Sequence, residues 1–208
     1  MINTVIVEDN LYMLNHLVNM ISGEKDFALT ASLKDAFEAE EICKKYKVDV
    51  VLMDVQTAHN HSGLSVGERI RKNGKTKVVV VTSLIDPDVL VRAKTGAADS
   101  LWYKDHGEEE LLDVIRRTVK GEKVFPDESP SVELKNMFSS EITPRQIQIL
   151  RRFVMGMTYD EIAKELGLSK NGVRWNLDQI VEKGGFNNKH ELLAAVIENK
   201  LIVTTLKD

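Results

Sequence analysis
The chain has 208 residues, 43% of them apolar and 29% charged, with a formal net charge of −4. That length fits two domains better than one, and no apolar run nears the ~18 residues a membrane helix needs, which argues against a membrane protein. A single cysteine, Cys43, excludes an intramolecular disulfide, and its place in a helical stretch favours a small core residue. The start, MINTVIVED, enters a strand pattern with no basic region or cleavage site, so a cytoplasmic protein without membrane contact is expected. Residues 1–124 hold 17 Lys/Arg against 20 Asp/Glu, 125–140 hold 1 against 3, and 141–208 hold 10 against 9. A segment at +1 is a weak footprint for nucleic acid, so DNA binding there would rest on placed cations, helix termini and dimerisation.

Over residues 1–124, strand and helix patterns alternate. Thr4 to Val7 reads as a strand, Leu11 to Ile21 as a helix, Phe27 to Leu33 as a strand and Ala36 to Tyr46 as a helix. Val48 to Asp54, VDVVLMD, has five apolar residues of seven without alternation, the pattern of a strand buried on both faces. A Gly-containing loop and a helix at Leu64 to Arg71 follow. Lys77 to Ser83 is a second doubly buried strand, Pro87 opens a helix to Thr95, Ser100 to Tyr103 is a short strand, and Glu108 to Lys120 is a helix. Five βα units of this kind predict a flavodoxin-like α/β fold with a parallel sheet of order 2-1-3-4-5.

In such a sheet ligands bind beyond the carboxyl ends of the strands. Glu8 and Asp9 follow the first strand, Asp54 ends the third, Thr82 ends the fourth and Lys104 follows the fifth. Each has a bland reading: an acidic helix start for Glu8 and Asp9, a turn cap for Asp54, a β-branched strand residue for Thr82, a surface lysine for Lys104. Five such groups at strand ends favour a shared site instead. Three carboxylates in one crevice repel unless a cation offsets them, and few oxygen ligands with room for water suit Mg²⁺.

These residues give the segment 1–124 its resemblance to the receiver domain of two-component response regulators. The resemblance implies that Asp54 is phosphorylated by a sensor histidine kinase, that Glu8, Asp9, Asp54 and the Gln56 main-chain carbonyl surround Mg²⁺, and that Thr82 and Lys104 meet the phosphoryl group. The chain departs from the family pattern at Thr57-Ala58, which replace a Met-Pro pair, and at Gly63, which comes one position late; a longer or more mobile loop is expected. His59 and His61 lie in that loop and read as solvated side chains rather than metal ligands. Leu101, followed by Trp102 and Tyr103, stands where the family has its switch aromatic. An enzyme of the aspartyl-phosphate hydrolase type needs a second acid two residues after the nucleophile, where Gln56 stands, so no enzyme is expected.

Gly121 to Ser140 carries Gly121, Pro126 and Pro130 without sustained periodicity; residues 125–140 are read as a linker with a short helix at Val132 to Met137. Thr143-Pro144-Arg145-Gln146 predicts a capped helix start, with Ile147, Leu150, Phe153 and Val154 at helical spacing until Gly156. Thr158 to Glu161 is a second capping box, for a helix that Gly167 ends. Ser169 caps a third helix with Val173, Leu177, Ile180 and Val181 as its buried stripe. Two short helices joined by Gly167-Leu168 predict a small all-α helix-turn-helix domain over 141–208.

Together with the Thr-Pro-Arg start, Gly-x-Thr-x-x-Glu-Ile-Ala over 156–163 and Leu-Ser-x-x-x-Val-Arg over 168–174 make this segment resemble the LuxR-type (NarL/FixJ) DNA-binding domain. The resemblance implies that Arg174 and Trp175 face bases, that Lys170 and Asn171 lie near phosphates, and that the helix around His190 to Asn199 helps dimerise. Trp175 reads alternatively as a core residue. Asp178 is unusual at a DNA surface, where an acid must accept from a cytosine amine or pair with Arg174, and Gly184 stands where the family has Leu. The expected function is a phosphorylation-controlled transcriptional regulator that binds double-stranded promoter DNA, as a homodimer when active, with RNA polymerase left open as a further partner. The competing expectation is a regulator whose receiver works without phosphate, as a dimerisation or ligand-controlled module.

Overall fold
Two Val-rich runs, Val50–Met53 (β3) and Lys77–Thr82 (β4), lie at the centre of a parallel sheet. Strands apolar on both faces are stable only between helix layers. With Ile2–Val7 (β1), Phe27–Leu33 (β2) and Ser100–Tyr103 (β5) they make the predicted order, β2-β1-β3-β4-β5. The computed structural model describes residues 1–203, so the end of the predicted second domain, 204–208, lies outside the described residues. Two units divide between Glu128 and Ser129, within the predicted linker.

The helices of the first unit are Leu11–Gly23 (α1), Ala36–Lys45 (α2), Gly63–Asn73 (α3), Pro87–Arg92 (α4) and Glu108–Val119 (α5). Leu14, Leu17 and Ile21 of α1 and Leu111 and Ile115 of α5 share one core cluster with Ile6, Leu52, Val79, Val81 and Trp102 of the sheet. Asn10 caps α1 by accepting from Tyr12 N and Met13 N at 3.0 and 3.1 Å. Three glutamates open α5 and two arginines close it, each sign facing the helix end it stabilises. α4 is shorter than predicted. The chain passes at Ala93–Ala97 into a π-helical turn, where Ala98 N donates to Ala93 O, and the Ala97 carbonyl lies where a Gly67 Cβ would stand at 2.5 Å. Cys43 is half-buried rather than core, and burial pushes its thiol up to about 11, so it stays protonated at neutral pH.

The second unit holds Pro144–Val154 (α6), Tyr159–Leu166 (α7), Lys170–Gly184 (α8) and Lys189–Glu198 (α9). Both predicted capping boxes form: Thr143 with Gln146 and Thr158 with Glu161 exchange side-chain-to-backbone bonds. Gly167 takes the left-handed conformation that ends α7. Ile147, Leu150, Ile162, Val173, Leu177, Ile180, Leu192 and Val196 are buried. The short helix predicted at Val132 to Met137 is instead an antiparallel hairpin of Glu133–Leu134 (β6) and Met137–Phe138 (β7). As a hairpin they pair Leu134 with Met137, and both side chains are buried. Phe186, with Met137 of the hairpin behind it, accounts for Gly184: a Cβ there would stand 2.3 Å from the Phe186 ring and 3.2 Å from Met137 Sδ. No helix among the described residues is long and apolar enough to cross a membrane.

Candidate functional site
Strand register brings the predicted residues of the first unit together. Val7 pairs with Met53 and Asp54 N donates to Val7 O, so Glu8 and Asp54 leave adjacent strands at one level. Thr82 pairs with Tyr103 and its carbonyl accepts from Lys104 N at 2.9 Å, which brings the fifth strand's exit to the same edge. Lys104 Nζ donates to Glu8 Oε2 at 2.6 Å and to Asp54 Oδ2 at 2.9 Å. The remaining oxygens are also bound: Glu8 Oε1 accepts from Asn10 N, and Asp54 Oδ1 from Val55 N. Asp9 is exposed at the rim, and one oxygen from each of Glu8, Asp9 and Asp54 lies within 4.8 Å of the others. Thr82 is fully buried, and its hydroxyl accepts from Leu84 N at 3.1 Å. Gln56 stands two residues past Asp54, in an isolated bridge with Ser62 that holds its main chain.

Charge in this pocket is incompletely balanced. Burial pushes the Asp54 carboxyl up to about 7; the Lys104 ammonium opposes that rise and the Glu8 charge adds to it. Burial by itself would lower the Lys104 ammonium, but Asp54 and Glu8 together hold it above its ordinary range. Once Asp54 is ionised, the three carboxylates and one ammonium leave a formal −2, the complement of one divalent cation, and an oxygen-only ligand set suits a hard one. Because the folded Asp54 titrates near 7 and an unfolded aspartate at 3.8, the folded chain binds the extra proton between those values. That contribution to stability is complete below about pH 4 and is lost as pH rises through about 7. The unfolding free energy of metal-free protein should therefore fall from about pH 5 to about pH 8, and Asp54→Asn should flatten the fall. Parallel curves in urea melts across that range would exclude Asp54 as the titrating group.

The loop after Asp54 absorbs its additional residue in a 3-10 turn, Ala58–Asn60, with His59 and Asn60 at φ 61° and 59°. It is tied to the start of α2. The Thr57 hydroxyl donates to His61 O at 2.9 Å and accepts from Ala36 N, and Ala58 N donates to Lys34 O. The His61 ring stacks on Phe37 at 3.9 Å and pairs through Nδ1 with Asp35 at 2.8 Å, so this histidine serves the loop's anchorage. Among the described residues, Glu8, Asp9 and Asp54 are the group of three ligand atoms close enough for a metal, and neither histidine joins it. Gly63 closes the loop under Asp54: a Cβ there would stand 1.8 Å from Asp54 O and 2.9 Å from Met53 Cγ. We expect Gly63→Ala to cost about 3 kcal/mol or more, the upper end for overpacking, because the obstructing atom is backbone. A urea midpoint unchanged from wild type would refute this. Leu101 is 2% exposed, in a strand where every residue is buried.

In the second unit, α8 starts at Ser169, whose hydroxyl accepts from Gly172 N at 3.0 Å. Lys170, Asn171, Arg174 and Trp175 are exposed along its first turns. Trp175 is 60% exposed, so its alternative reading as a core residue does not hold. Lys170 pairs with Asp160 of α7 at 2.7 Å. Arg174 Nε lies 3.5 Å from Asp178 Oδ2, and Asp178 Oδ1 accepts from Lys189 Nζ at the start of α9. Sequence reasoning missed Lys189, the hairpin against Gly184 and the anchorage of His61; the displaced Gly63 and the unexpected Gly184 were the signals available for the last two.

Comparison with known proteins agrees with this geometry. The model of the response regulator receiver domain matches residues 4–116, and that of the bacterial regulatory proteins of the luxR family matches 140–196. The uncharacterized transcriptional regulatory protein YvfU of Bacillus subtilis (strain 168) is 33% identical, over 96% of this chain and 98% of its own length. The transcriptional regulatory protein DesR of the same organism is 26% identical, over 93% and 95%. The structure of RcsB from Salmonella enterica serovar Typhimurium bound to promoter rprA with the phosphomimetic BeF₃⁻ superposes with a TM-score of 0.62 at 19% identity, over 94% of this chain and 98% of that one, a likeness of fold. With its strand-end acids and lysine on one unit and its capped helix-turn-helix on the other, the chain belongs to the two-component response regulators and joins a receiver domain to a LuxR-type DNA-binding domain.

Proposed function
We propose that this chain accepts a phosphoryl group on Asp54 from a sensor histidine kinase and thereby raises its affinity for promoter DNA. The observation that carries the reading is the buried cluster of Asp54, Glu8 and Lys104, with Asp9 at its rim. In the transfer, an Asp54 carboxylate oxygen attacks phosphorus, its new O–P bond forming as the N–P bond of the kinase phosphohistidine breaks and the imidazole leaves. Lys104 holds one oxygen of Asp54 at 2.9 Å, which aims the carboxylate and supplies positive charge beside the incoming phosphoryl oxygens. Thr82, at the end of the next strand, is the hydroxyl donor for the transferred group. Glu8, Asp9, Asp54 and the Gln56 carbonyl would hold Mg²⁺, which supplies neutralising charge to the phosphoryl oxygens when bound. Burial keeps bulk water from the acyl phosphate so formed.

On the second unit, Arg174 and Trp175 are the base-facing residues of α8, and Lys170 and Asn171 its phosphate contacts, with DNA bound by a homodimer to which α9 contributes. The competing reading, a receiver that acts without phosphate, draws on Leu101, which leaves no aromatic ring to rotate at that position. Gel-shift titrations of full-length protein at several salt concentrations separate the two. Phosphorylation should raise specific affinity, since the two states must bind DNA differently for the receiver to control the output. Arg174→Ala should cost about 1–3 kcal/mol on the preferred site and relax one base pair. Lys170→Ala should weaken all sequences alike and lower the salt dependence by about one phosphate contact. Identical binding with and without phosphate would sink the phosphate-controlled reading.

A further inference from the structure
We propose that Asp178 is a positioning residue that steers Arg174 toward guanine and does not itself read a base, an inference that rests on α8 being the DNA-facing helix. An acid on such a helix repels phosphates, and here its two oxygens have separate tasks. Oδ1 is held by Lys189 Nζ, and that ammonium also lies 5.5 Å from the centre of the Tyr159 ring. Side chains from three helices, Tyr159 of α7, Asp178 of α8 and Lys189 of α9, thus meet at one point. The Lys189 side chain is only 22% exposed, so the carboxylate is tethered to a half-buried anchor. Oδ2 then faces Arg174 Nε at 3.5 Å, one helical turn away on the same face. The hydrogen bond from Lys189 and its charge hold the Asp178 carboxyl below its ordinary range, so the tether persists as an ion pair at neutral pH.

Engaging Nε has a directional consequence. It leaves the two terminal guanidinium nitrogens, the parallel donors that match O6 and N7 of guanine, at the far end of the fork. A long side chain guided toward one orientation loses less freedom when it binds, and the saving is specific to the base Arg174 reads. Lys189 also offsets the acid's charge, so the groups Arg174, Asp178 and Lys189 together present a net positive charge to the phosphates.

Removing the acid should therefore move two measurements in opposite directions. The probes are the duplex most enriched from a randomised library by full-length protein treated with acetyl phosphate and Mg²⁺, its single-base-pair variants, and a random-sequence duplex of equal length. Asp178→Asn keeps the shape, so it should tighten binding to the random duplex while lowering discrimination at the Arg174 base pair by about 2- to 12-fold, the value of one immobilised side chain. Arg174→Ala should lose about 5- to 150-fold at that same base pair, and the double variant should lose no more than Arg174→Ala alone. Lys189→Met should weaken the random duplex and the preferred site together, since it releases the acid's charge. A merely structural Asp178 would lower both measurements in Asp178→Asn, and a base-reading Asp178 would lose discrimination at a different base pair; either result overturns the proposal. If Arg174→Ala keeps full discrimination, or no duplex is enriched, the reading of α8 fails and takes this inference with it.

Discussion

Full-length protein incubated with acetyl phosphate and Mg²⁺ should gain one phosphoryl group, and Asp54→Asn should gain none. The expected loss is complete because the other two acids are unsuited to the role. Glu8 is 1% exposed against 8% for Asp54, so its carboxylate is the less open of the two to an incoming phosphoryl donor. Asp9 is exposed at the rim and lacks the lysine contact that aims Asp54. Asparagine preserves the shape of the side chain but replaces a carboxylate nucleophile with an amide, so folding should survive while the chemistry stops. Intact mass spectrometry reads the result directly. Undiminished labelling of Asp54→Asn would move the nucleophile elsewhere, with Asp9 the next residue to test.

Mg²⁺ affinity should collapse in the double variant Glu8→Gln, Asp9→Asn. Two of the three carboxylates in the cluster lose their charge, so the formal −2 left after Lys104 falls to neutral and the electrostatic complement of a divalent cation is gone. Outer-shell substitutions at metal sites already cost roughly 10- to 100-fold, and the loss of both proposed ligands should exceed that range. Titration calorimetry with Mg²⁺ alone provides the measurement. Affinity retained by the double variant would leave Glu8 and Asp9 as a helix-start preference, with no part in holding metal.

The features legible in the sequence are those that depend on neighbours along the chain. Val-rich runs without alternation located β3 and β4, because a strand that is apolar on both faces has one stable environment. The order of the sheet came from the known topology of five βα units, and with it the convergence of Glu8, Asp54 and Lys104, because parallel register places every strand exit on one edge. The capping boxes at Thr143 and Thr158 were equally local, each closing within three residues. Tertiary structure alone decided the features that depend on distant partners. Residues 133–138 form a hairpin in which Leu134 and Met137 are buried together, and the space a side chain would need at position 184 is taken by Phe186 and Met137. The lengthened loop after Asp54 is anchored by Asp35 and Phe37, 26 and 24 positions before His61, and no local pattern records such a pairing. Asp178 read by itself as an anomaly on a DNA-facing helix. Its pairing with Lys189, 11 residues on and in another helix, was not legible there, because the energy of an ion pair depends on distance in space and the sequence records only distance along the chain.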